Sequence, residues 1–92
     1  MDDPSLEEMT RAASRVLNTK EEGFVVFIEA RPIDHGQHGN KAWEALEEAL
    51  QLDQAVTAAL ELVNTDETLI IVTADNSHAM TLNSYCFKGK EL

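Results

Sequence analysis

Ninety-two residues make room for one small domain with a modest apolar core. Apolar residues are 43% of the chain and charged residues 26%, proportions of a folded protein rather than a disordered one. Seventeen Asp and Glu against seven Lys and Arg leave a net charge of −10, which repels polyanions and excludes nucleic acid as the expected partner. Divalent cations suit that charge better, although most of the acids are expected to solvate helix faces. No apolar run reaches membrane-spanning length, and the acidic start Met1-Asp2-Asp3-Pro4 does not read as a signal peptide. Cys86 stands alone and has no internal disulfide partner.

Asp3 or Ser5 can cap a first helix, Pro4 suits its opening turn, and Ser5 with Glu8 reads as a capping box. Leu6, Met9, Ala13, Val16 and Leu17 follow at helical spacing, and Asn18 to Gly23 form a turn. Phe24-Val25-Val26-Phe27-Ile28 is a continuous apolar run that predicts a buried parallel strand, ended by Glu29. From Ala30 to Gly39 the polar composition, with Pro32, Gly36 and Gly39, predicts a loop.

A second helix, capped by Asn40, is predicted to run to about Val63 on the apolar recurrence of Ala42, Trp43, Leu46, Ala49, Leu50, Val56, Ala59, Leu60 and Val63. Asn64 to Glu67 should turn, and Leu69-Ile70-Ile71-Val72 should form a second buried strand ending in Thr73-Ala74-Asp75. Residues 76–92 carry no strong period. The predicted fold class is therefore α/β, a βαβ unit with parallel strands and a right-handed crossover.

That topology would carry Glu29, Asp34 and Asp75 to the carboxyl edge of the sheet, where sites in open parallel sheets lie. Singly, Glu29 could be a solvated acid and Asp75 a turn cap. Ile33-Asp34-His35-Gly36-Gln37-His38 adds a carboxylate and an imidazole four residues apart, a donor set that zinc accepts.

The strings G-F-V-V-F-I-E, I-D-H-G-Q-H and V-T-A-D-N-S-H, in this order and spacing, resemble the alkaline phosphatase family. The family pattern runs G-F-F-L-F-V-E-G-G-R-I-D-H-G-H-H, then a long helix, then T-L-x-x-V-T-A-D-H-S-H. The likeness extends from the Pro4 to Met9 helix start to the Tyr85 region, and residues 1–92 read as one partial domain of a three-layer sandwich. The resemblance implies a hydrolase of phosphate monoesters working through a phosphoserine intermediate with two zinc ions and one magnesium. It implies that Glu29 binds magnesium, that Asp34 and His38 bind the first zinc, and that Asp75 binds the second. His35 would stand near the phosphate, and His78 would orient a carboxylate ligand of the first zinc. It further implies an extracellular, periplasmic or cell-surface setting, a homodimer, and membrane association only through a lipid anchor outside this segment.

Several positions depart from the pattern. No residue matches the nucleophilic serine, the phosphate-binding arginine or the bridging aspartate, and the last histidine of the first zinc site falls beyond the chain. Asn76 occupies the place of a histidine ligand of the second zinc, where an amide oxygen is the poorer donor. Ala30-Arg31-Pro32 replaces Gly-Gly-Arg, and Gln37 replaces a histidine. Besides a segment of a working phosphatase, two readings remain open: a weakened family member acting as a binding domain, and a small acidic α/β domain without metal.

Overall fold

The computed structural model describes residues 3–83, so Tyr85 and Cys86 lie outside it. Helix α1 spans Leu6–Leu17. Ser5 Oγ accepts the Glu8 N–H at 3.1 Å and Glu8 Oε2 accepts the Ser5 N–H at 2.8 Å, a reciprocal cap that satisfies two otherwise orphaned donors. The chain then turns through Lys20 N–H to Leu17 C=O, and reverses at Gly23, whose φ of 85° is open to glycine without strain.

Residues Arg31–His38 form helix α2 rather than the predicted loop. Pro32 sits in its first turn, where a missing N–H costs nothing, and that placement starts the helix in spite of Gly36. Helix α3 spans Ala42–Leu62, and its cap residue is Lys41, without a side-chain cap; Asn40 instead takes a left-handed conformation with φ 52°. After α3, the Asn64 carbonyl accepts from Glu67 and Thr68, and Asn64 Oδ1 accepts the Asp66 N–H, as the predicted turn requires.

Both outer helices pack on α3. Small residues make the buried surface: Thr10 and Ser14 on α1, Ala42, Ala45, Ala55 and Ala58 on α3, and Gly36 on α2. Short side chains let helix backbones approach closely. Arg11 adds a tie, pairing with Glu7 at 2.9 Å within α1 and with Glu61 of α3 at 3.0 Å. Hydrogen bonds to Glu61 and Glu7 raise the guanidinium pKa further, so Arg11 stays charged in the tie.

The α/β expectation is overturned. Among the described residues there are three helices and no strand, so neither the parallel βαβ unit nor a sandwich layer forms. A strand exists only through backbone hydrogen bonds to a neighbour, and residues 24–28 and 69–72 make none to each other. Nor are they buried: Val25 is 96% exposed, Phe27 92%, Leu69 83% and Ile71 75%. The large apolar residues of the helices are uncovered as well, since Met9, Val16, Trp43, Leu46, Leu50 and Leu60 are exposed. The chain is consequently extended, with a radius of gyration of 16.5 Å where a compact chain of this length has about 12 Å.

That much uncovered apolar surface should bind a hydrophobic dye and drive self-association. Enhanced anilinonaphthalene sulfonate fluorescence and a concentration-dependent sedimentation coefficient are expected for the 92-residue chain. A dye-negative chain that stays monomeric at every concentration would contradict this.

Candidate metal centre

Asp34 and His38 stand one turn apart on α2, so both side chains project from one face. His38 Nε2 lies 3.4 Å from Asp34 Oδ2. Two ligands of a tetrahedral zinc, each at its usual bond length, are separated by about 3.3 Å. The gap therefore matches a shared metal better than a direct hydrogen bond.

The other carboxylate oxygen is taken. His78 Nε2 lies 2.6 Å from Asp34 Oδ1, across 44 positions of sequence. A carboxylate only accepts, so Nε2 carries the proton and donates, which sets the His78 tautomer. The His38 and His78 rings meet edge to face with centroids 4.5 Å apart. Asp34, His38 and His78 thus gather ligand atoms within 4.8 Å of one another. With His78 Nε2 committed to Asp34 Oδ1, the donors left for an ion are Asp34 Oδ2 and a His38 nitrogen, a pair that suits zinc more than a hard cation such as magnesium.

The remaining sequence candidates stand apart from this group. Glu29 and His35 are exposed, and neither belongs to it. Asp75 and Asn76 are also exposed; Asp75 Oδ1 accepts the Asn76 N–H at 3.0 Å, a local turn contact. Without a sheet, no common edge draws Glu29 and Asp75 towards Asp34.

Gly36 lies between the two α2 donors; the sequence marked it as a loop former and not as a packing position. A Cβ placed there would stand 2.8 Å from the Ala45 backbone nitrogen, so only glycine lets α2 seat on α3. Asn40, at the α2–α3 junction, accepts the Thr81 N–H on its Oδ1 at 3.2 Å. The lone Asn before a long helix was the available signal, and it reads equally well as a helix cap.

The alkaline phosphatase family model matches residues 1–92. The chain belongs to the alkaline phosphatase family. A membrane-bound alkaline phosphatase of Bombyx mori is 42% identical over 98% of this chain, which covers 16% of that protein. Alkaline phosphatase 4 of Drosophila melanogaster is 46% identical over 98% of the chain and 15% of its own length. The tissue-nonspecific isozyme of Homo sapiens is 41% identical over 98% of the chain and 17% of its own length. This alkaline phosphatase segment therefore spans about a sixth of the relatives it matches. No solved structure matches it. Among the described residues no helix is long and apolar enough to cross a membrane.

Replacing Gly36 by Ala tests the seat of the site. The new methyl meets backbone, which cannot swing aside, so overpacking should outweigh the helix-propensity gain and leave a net loss of about 1–3 kcal/mol. Urea unfolding followed by circular dichroism measures it; an unchanged or raised midpoint would show that α2 can lift without cost.

Proposed function

We propose that this segment supplies part of the metal site of a phosphomonoesterase, with Asp34 and His38 as zinc ligands and His78 fixing the Asp34 carboxylate. The observation that supports it is the 3.4 Å separation of Asp34 Oδ2 and His38 Nε2 on one helix face, with the opposite oxygen held by His78. A bound zinc would supply positive charge to phosphoryl oxygens, the usual need of phosphate ester cleavage. The residues here have narrower tasks. Asp34 and His38 bind and orient, and the His78 N–H keeps one lone-pair direction of Asp34 free for the ion. The nucleophilic serine would lie elsewhere in the longer protein. Residues 1–92 are then one partial domain of it, with a phosphate monoester as substrate. Glu29 as the magnesium ligand and Asp75 as a ligand of a second zinc extend the same reading, with His35 near the phosphate.

Metal analysis of the full-length protein checks these assignments. His38→Ala should lower zinc occupancy, whereas Glu29→Ala should lower magnesium and leave the first zinc in place. Equal loss of both metals in each variant would show the roles to be wrongly divided.

A second reading, a family member weakened for catalysis and kept for binding, is favoured by one observation, the Asn76 amide at a histidine position. An amide oxygen binds zinc less well than imidazole. At saturating zinc, Asn76→His should then raise zinc stoichiometry and the turnover of an aryl phosphate together. A wild type already holding two zincs and turning over as fast as the variant would remove the basis for this reading.

A further inference from the structure

Among the described residues, two hydrogen bonds join residues 73–83 to the rest of the chain: His78 to Asp34, and the Thr81 N–H to Asn40 Oδ1. They lie three residues apart on the same segment. One contact alone would let the segment pivot about it, whereas two leave only a short span free between anchors. The His78 side chain is accordingly 11% exposed, while Asp34 beside it is 47% and His38 70% exposed.

The backbone of Asn40 is prepared for this contact. Its N–H donates to the Gln37 carbonyl at 3.1 Å, and the next N–H, of Lys41, donates to the Gly36 carbonyl at 2.9 Å. These bonds close α2 with Asn40 in the left-handed region, φ 52°. Asparagine tolerates that region better than most residues with a side chain. A glycine would take it more easily but would bring no acceptor to Thr81.

We propose that Asn40 is a positioning residue, acting through Thr81 to hold His78 against the Asp34 carboxylate. It makes no contact with the reacting groups itself. The same turn that ends α2 thereby sets the residue that orients an α2 side chain, so helix end and site geometry are coupled. The consequence for zinc rests on the metal assignment proposed above; the consequence for His78 does not.

The test uses two substitutions in the 92-residue chain at high dilution. Asn40→Gly keeps the backbone conformation and deletes the acceptor, while Asn40→Asp keeps an acceptor oxygen in the same place. Diethyl pyrocarbonate acylation, mapped by mass spectrometry, reads access to His78, with exposed His35 as the internal reference. In Asn40→Gly the His78 rate should rise about fivefold relative to His35, the effect of one ordinary hydrogen bond, with helix content unchanged by circular dichroism. Asn40→Asp should return it to the wild-type rate. An unchanged rate in Asn40→Gly overturns the proposal, as does a raised rate that Asn40→Asp fails to restore. Zinc titration by calorimetry runs in parallel: Asn40→Gly should weaken binding by a similar factor. Unaltered zinc binding in His38→Ala would defeat the metal assignment, and the acylation ratios would still decide the role of Asn40.

Discussion

Where α2 rests on α3, the space beside Gly36 is closed by main chain: a Cβ there would come within 2.8 Å of the Ala45 nitrogen and 3.2 Å of its Cα. A backbone wall cannot rotate out of the way as a side chain can. The contact therefore sets the height of α2 above α3, and the direction in which Asp34 and His38 leave their helix follows from it. So does the position of the α2–α3 turn, and with it the Asn40 side chain. One missing side chain thus governs the whole arrangement on that end of the molecule.

The same economy runs along α3. Its buried positions are all alanine, and α1 meets it with Thr10 and Ser14, the Thr10 hydroxyl donating to the Leu6 carbonyl at 2.7 Å. Burial of alanines removes little apolar area each, so hydrophobic stabilisation from these contacts is slight compared with a leucine core. Larger residues, Trp43, Leu46 and Leu50 among them, stay on the outer face of the helix. Helix capping at Ser5 and the Arg11 tie to Glu61 carry correspondingly more of the local definition.

Asp34 illustrates how one carboxylate can serve two neighbours. Oδ1 faces a donating imidazole at hydrogen-bond length, while Oδ2 faces a second imidazole at a distance too wide for a strong hydrogen bond. An acid held this way loses rotational freedom before any ion arrives, which lowers the ordering cost of binding. The net charge of −10 spread over the chain favours the approach of cations in general but does not select among them. In the proposed site, selection would lie with the His38 nitrogen.

Local chemistry was legible in the sequence wherever its cause was local. The Ser5–Glu8 box, the Asn64 turn, the long helix ending near Val63, and the i,i+4 approach of Asp34 and His38 all depend on residues within a few positions of one another. Family membership was readable for a similar reason, because it rests on spacing along the chain. The strands were not, since β-branched runs state a capacity to pair and pairing needs a partner in space; residues 24–28 and 69–72 have none here. The apolar stripes identified the helices but not their packing, because periodicity marks a face and not which face is covered, and α3 turned its alanines inward. The resemblance names His78 as orienting a carboxylate of the first zinc, but only the tertiary structure could place it on Asp34 across 44 positions and Thr81 on Asn40 across 41, because both contacts join segments that no local pattern brings together.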